Sequence, residues 1–514
     1  MRVPSAAPVR ALSFFASVAV IAAAACTSPD RGDGSGTAGQ TGTGGSAAGG
    51  TAGGAVAGGG GSGVAGASGA AGAGAGTGGT VGGRGGSATT GTGGAAGNGG
   101  SAAGSGGNAT GGGGASAGAS GGTAGATAGT GGAGGTAGTT PAVVIPGAGN
   151  CLPPSGANVA DARAAYAKWK TDVLTSDGAV GFLRVRRPNS SGAEVNSTVS
   201  EGIAYGMLLS VYADDQATFD KLWQYSQKWL DGNGLMNWYI NAAGTQALGT
   251  GAASDADEDM AYALIAADAR WGGKGSLTTN YIDLAKTLIG KIWQYEVDHT
   301  RSDVLKPGDT GFDGSVINIS YFAPAYYKAF GRVTGQTANW NNVAKTSYDV
   351  IEKTLNAQNG NASNGLVPAW STPAGMPMAP PGTGMPTHHQ LDSCRTPFRV
   401  AVDYCWNAEP RALTYLQKIT GFYAGVGANN IVDGYDLNGN PHPQFVTTGG
   451  PRAASFNGAA GVGAMATGAT NATLRNEAYA GVATLTQLAG STYYQESWTG
   501  LSLQMMTGLF PVPN

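Results

Sequence analysis

Charge is scarce in this chain. Lys, Arg, Asp and Glu make up 11% of its 514 residues, the formal net charge is -3, and no basic run occurs anywhere. That leaves no electrostatic footprint for nucleic acid, because phosphate backbones are held by clustered Lys and Arg. From about Arg31 to Thr140 aromatic residues are missing altogether and charge nearly so, and the stretch is almost entirely Gly, Ala, Ser and Thr. Such a segment cannot bury enough apolar surface to offset its ordering entropy, so residues 27–149 are expected to be a disordered tether. The glycine period and the proline of collagen are absent from it. From Asn150 onward there is no G-x-S-x-G turn and no phosphate-binding glycine loop, which removes the serine-hydrolase and nucleotide readings. Strand-period alternation is nearly absent as well.

Cysteine is sparse, with four in all. Cys26 closes an N-terminal segment in which Arg2 and Arg10 precede an apolar run from Ala11 to Ala25. That is the layout of a secretory signal, too short to span a membrane. Ala23-Ala24-Ala25-Cys26 resembles the cleavage box of bacterial lipoproteins, in which the cysteine carries the lipid; an ordinary Ala-X-Ala cleavage is the alternative. A long polar tether directly after the cysteine favours the anchor, since it lets a folded domain reach away from a membrane surface. The chain is therefore expected to be secreted or held at the cell surface, where disulfides are permitted. Of Cys151, Cys394 and Cys405, the last two would lie about 16 Å apart along one helix, beyond disulfide reach. Any bridge is expected to join Cys151 to one of them.

What is present lies between Asn150 and Asn514, which holds all 10 Trp and can build a sizeable core. Apolar residues recur there at helical spacing in twelve segments: 159–174, 201–212, 216–230, 255–271, 278–296, 321–332, 340–355, 396–406, 410–423, 455–465, 473–488 and 493–509. Gly-, Pro- and Asn-rich loops separate them. Twelve helices in six hairpins close into an all-α (α/α) toroid with an inner and an outer ring. If the rings alternate, every inner helix starts at the same rim. Ser200-Glu201, Ser254-Asp255 and the approach to Arg395 through Asp392 all lie at such starts. Three carboxylates are thereby brought to one cleft, and paired carboxylates are what glycoside hydrolysis needs.

At these residues the chain resembles glycoside hydrolase family 8, the inverting endo-glucanases, xylanases and relatives. Ser200-Glu201-Gly202 with Tyr205-Gly206-Met207 resembles the family's acid motif, and Asp255-Ala256-Asp257-Glu258-Asp259 its acidic motif. Asp392-Ser393-Cys394-Arg395-Thr396-Pro397-Phe398-Arg399 with Asp403-Tyr404 resembles its base motif. Asn318-Ile319-Ser320-Tyr321-Phe322 and the terminal Gly508-Leu509-Phe510-Pro511 also resemble family segments, in matching order along the chain. The resemblance implies Glu201 as general acid, Asp392 as general base and Asp255 as binder of the distorted sugar, in a catalytic domain spanning 150–514. Two departures are Leu391, where an aromatic is expected before the base, and Phe398 in place of Trp; the first bears on how the attacking water is placed.

Each candidate has a plainer role beside it. Glu201 could be a capping glutamate for Ser200, Asp392 an N-cap, Arg395 a surface arginine and Asp259 a structural acid. Arg395 is expected to pair with Asp392 and keep it ionised. The 255–259 cluster could hold a cation, but it lacks the glycine of known calcium loops, so no metal and no cofactor is expected. His388 and His389 have no partner at ligand spacing and are expected to be loop residues. Trp238, Tyr321, Trp370 and Tyr205 are candidates for stacking on sugar rings, against the plainer role of core aromatics. The expected activity is inverting endo-hydrolysis of a β-1,4-linked glucan by a monomer, with xylan as the runner-up substrate. A glycan-binding surface protein that has lost turnover is the rival.

Overall fold

Twelve α-helices run through the residues that the computed structural model describes, which are 150–510 apart from 189, 191–193, 382–384, 444–452 and 486–492. The expected signal segment, Cys26, the tether, Pro511 and the end of the expected 473–488 helix lie outside them. The helices are α1 (Val159–Val173), α2 (Ser200–Tyr212), α3 (Gln216–Ser226), α4 (Ser254–Trp271), α5 (Tyr281–Tyr295) and α6 (Pro324–Thr334). They continue with α7 (Thr337–Thr354), α8 (Arg395–Asn407), α9 (Pro410–Val426), α10 (Ala454–Ala466), α11 (Ala472–Ala483) and α12 (Tyr493–Met506).

Local chemistry sets the ends. Asn158 and Asp215 accept backbone N–H groups at the starts of α1 and α3, satisfying donors that a helix leaves unpaired. Pro324 and Pro410 occupy first-turn positions, where a missing N–H costs nothing. Gly335 closes α6 in the left-handed region. Helix α6 begins three residues later than the sequence pattern places it. Ile319–Tyr321 is a 3-10 turn, and Phe322 and Ala323 are held out of the helix by the proline that follows.

The even-numbered helices form the inner ring. Helices α2, α10 and α12 are buried on every side, whereas α5 and α7 bury one stripe each. Around the ring α2 packs on α4, α4 on α6, α6 on α8, α8 on α10, α10 on α12, and α12 back on α2. This is an (α/α) six-hairpin barrel. A close crossing needs Gly206: a Cβ there would meet Leu222 at 2.8 Å and Trp169 at 2.9 Å, so a side chain would wedge α2 away from α1 and α3.

The connections are unequal, and that inequality builds the site. Inner helices return to outer ones through short turns such as 213–215, 335–336 and 408–409. The outward-to-inward crossings at 174–199, 227–253, 296–323, 355–394 and 427–453 are long, and they carry small antiparallel ladders. Thr198–Val199 pairs with Tyr239–Ile240, which also pairs with Ala247–Gly249. Ile317–Asn318 pairs with Trp370–Ser371, and His389–Gln390 with Gly434–Tyr435. At two or three residues each, these strands are too short for alternation to register in the sequence. Cys151 and Cys405 form a disulfide that ties the segment before α1 to the last turn of α8, while Cys394 is a buried free thiol. Among the described residues no helix is long and apolar enough to cross a membrane.

Candidate active site

Three of the ladders lead directly into the carboxylate cluster. Val199 ends one and Glu201 stands in the first turn of α2, whose first N–H is held by the Trp238 carbonyl at 2.9 Å. Gln390 ends another, and the chain then turns through the 3-10 segment Leu391–Cys394, which carries Asp392 into α8. Asn318 ends the third and donates from Nδ2 to Asp392 Oδ2 at 2.6 Å. Asp255 stands in the first turn of α4. Glu201, Asp255 and Asp392 are 7%, 1% and 4% exposed.

One side chain joins them. The Arg395 guanidinium donates from Nη1 to Glu201 Oε2 at 3.0 Å and to Asp255 Oδ2 at 2.5 Å, and its Nη2 lies 3.0 Å from Asp392 Oδ2. It is 1% exposed, so the surface alternative for Arg395 is excluded. Its Nε reaches Ser320 Oγ, and its plane lies 4.9 Å from the centre of the Tyr321 ring. Glu201 and Asp392 are thus held on one guanidinium, each with an oxygen 3.0 Å from a different terminal nitrogen.

One cation among three buried carboxylates cannot neutralise them all. Burial is the main force on Glu201 and pushes its carboxyl up to about 7; the negative charges of Asp255 and Asp392 add to it, while Arg395 and the Tyr493 hydroxyl oppose it. Tyr493 donates to Glu201 Oε1, and Tyr205 to Oε2 at 3.1 Å. Val199, not Ser200, caps α2, and no side chain caps it, so Glu201 is not the partner of a capping box. Burial also raises Asp392, against the Arg395 charge and the Asn318 hydrogen bond, both of which favour its ionised form. Asp255 Oδ1 has no hydrogen-bond partner within the protein, an uncommon state for a buried oxygen and one suited to a ligand hydroxyl.

The rest of the acidic cluster divides. Glu258 and Asp259 each take a hydrogen bond from Arg399, at 2.5 and 3.0 Å, and Glu258 a second from Tyr327. Asp259 is therefore a structural acid. Asp257 faces away from Arg395, with Asp309 and Asp231 as its charged neighbours. Among the described residues no three His, Cys, Asp or Glu side chains are placed to hold a metal ion. His389 is buried, with its ring nitrogens on the Val367 carbonyl and the Tyr423 hydroxyl; it lies in a strand rather than a loop.

The aromatic candidates fare differently from one another. Tyr205 is corrected as a sugar platform: it is fully buried, its ring edge-on to Tyr494 and Trp498, and its hydroxyl engaged by Arg395 and Glu201. Trp238 lies against Tyr239 at 5.1 Å over Gly249, where any Cβ would strike its indole. Tyr321 and Trp370 are buried as well, and with the half-buried Phe312 they form a row leading from the Arg395 guanidinium towards the surface. Tyr493 is the contact that motif reading missed. It opens α12, far along the chain from Glu201, and nothing in its neighbourhood marks it out.

A helical barrel whose inner-helix starts gather a buried glutamate raised to about 7, two aspartates and one arginine has the make-up of a glycosidase of the two-carboxylate class. Residues 150–509 match the family described as Glycosyl hydrolases family 8. The chain belongs to that family and is a glycoside hydrolase. It is 40% identical to Endoglucanase A of Acetivibrio thermocellus over 359 residues, covering 68% of this chain and 70% of that protein. It is 31% identical to a Beta-glucanase of Niallia circulans, covering 67% of this chain and 84% of that one. Among solved structures, a β-1,3-1,4-glucanase from Paenibacillus sp. X4 in its apo form superposes with a TM-score of 0.62 at 28% identity, over 70% of this chain and 95% of that chain.

Proposed function

We propose that this chain cuts internal β-1,4 bonds of a cellulose-type or mixed-linkage glucan with inversion, using Glu201 as general acid and Asp392 as general base. The observation that carries this is the single buried guanidinium of Arg395 bridging Glu201, Asp255 and Asp392. Glu201, protonated near neutrality, gives its proton to the glycosidic oxygen as the bond to the anomeric carbon breaks. Asp392 takes a proton from a water that attacks that carbon from the opposite face, so the configuration inverts. The unpartnered Oδ1 of Asp255 accepts from a hydroxyl of the ring at the cleavage point, stabilising its distorted form as positive charge develops. Tyr321, Trp370 and Trp238, each no more than 3% exposed, back the site as buried aromatics, and the half-buried Phe312 offers the partly open ring for a neighbouring sugar. Arg395 positions all three carboxylates. The names of the relatives, endoglucanase and beta-glucanase, support the substrate class.

The test is reducing-end release from carboxymethylcellulose, lichenan, xylan and chitosan, with the anomer of the first product read by NMR. Glucan cleavage with inverted product is expected; retained configuration or preference for xylan would overturn the corresponding part. We also propose export with lipid attachment at Cys26 and action as a monomer. Membrane fractionation of wild type and Cys26→Ser, which should appear in the soluble fraction, tests the anchor, and size-exclusion chromatography tests the monomer.

A further inference from the structure

On the outside of the barrel the second half of α5 and the turn between α6 and α7 border an open groove of about 450 Å³, lined by none of the residues that hold the carboxylate cluster. That is within the roughly 300–1,000 Å³ of small-ligand pockets. Its wall is the half-buried Trp293, and its floor opens at Gly290, where an added Cβ would meet no atom within 4 Å. Trp293 is held still from behind. Trp340 meets it edge-on at 5.4 Å, and His299 lies 4.5 Å from it, pinned through its ring nitrogens to Asp303 and to the Trp293 carbonyl. Exposed Gln294 and Gln336 supply paired amide donors and acceptors, and Lys286 is the one charged side chain of the lining.

We propose that this groove is a second, non-catalytic binding site for a β-glucan chain. A rigid indole beside amides matches the two surfaces of a pyranose, an apolar face and a rim of hydroxyls. The lining has no carboxylate to attract a cation, and a lone lysine is too little for a polyanion, so an uncharged polyhydroxylated ligand fits best. The missing side chain at Gly290 lets such a ring lie close along α5. The proposed activity supplies the occupant, because a polymer threaded through the cleft is long enough for another segment, or another chain, to lie in the groove. Holding the polymer at two points raises its effective concentration at the cleft without touching the chemistry.

The proposal rests on the β-glucan reading of the cleft, and two measurements on the full chain keep the two apart. Binding to insoluble β-glucan is measured by depletion at low temperature, and turnover is measured on a soluble cello-oligosaccharide too short to span both sites. Gly290→Glu places bulk and charge in the groove without contacting the core, and Trp293→Ala removes its wall. Both variants should lose polymer binding severalfold and raise KM on polymer, with kcat/KM on the oligosaccharide unchanged. Polymer binding at the parent level in Gly290→Glu, with the folded state checked by circular dichroism, would overturn the site. Absence of oligosaccharide turnover in the parent chain would instead overturn the reading of the cleft.

Discussion

At the scale of single residues, the cluster behaves as a proton ledger held by Arg395. Glu201→Gln keeps the hydrogen-bonding shape but has no proton to give, so kcat/KM on glucan should fall by roughly 10²–10⁴ with the fold intact; circular dichroism and reducing-end assay check both. Wild-type kcat/KM should decline above about pH 7, where free-enzyme Glu201 loses its proton. The Tyr493 hydroxyl donates to Glu201 and thereby favours its charged form. Removing it in Tyr493→Phe should move the alkaline limb of that profile upward, with kcat changed by less than about tenfold. A profile that stays in place would show that Tyr493 does not tune the acid. Glu201, Asp255, Asp392 and Arg395 were all legible from motif and position at helix starts. Tyr493 was not, because its partner lies on a helix at the opposite end of the chain.

At the scale of elements, the inner helices are close-packed enough that their glycines matter. Gly206→Val would drive methyl groups into Leu222 and Trp169, and overpacking of this kind costs about 1–3 kcal/mol. Urea unfolding should show a lower midpoint with an unchanged slope. Residue patterning located each of the twelve α-helices among the described residues, since apolar patterns of that length can be read. It missed each ladder at the rim, because a strand of two residues has no period. Those ladders nonetheless deliver Glu201, Asn318 and Asp392 to their places.

At the scale of the molecule, burial of acids sets a pH dependence of stability. Glu201 and Glu496 are pushed up to about 7 and Asp259 to about 6, in each case chiefly by burial. The folded chain therefore keeps protons that the unfolded chain releases above about pH 4–4.5. Their stabilising contribution is complete below that range and is lost as pH rises through 6 and 7. The melting temperature should drop between about pH 5 and about pH 8; a rise over that interval would contradict the assignment. The Cys151–Cys405 bridge closes a loop across most of the barrel. Cys405→Ser should lower stability by about 2–5 kcal/mol, read as a fall in melting temperature that reducing agent reproduces in the wild type.

By itself the sequence determined the α-helix count of the described residues, the ring with its alternating order, and the rim at which the carboxylates gather, because helical periodicity and chain order are local and additive. Only the tertiary structure decided which carboxylates share one cation, which tyrosines face the acid, and which aromatics are buried behind the site. Those outcomes depend on distances between segments hundreds of residues apart and on how completely each group is cut off from water, and no window of sequence contains either quantity.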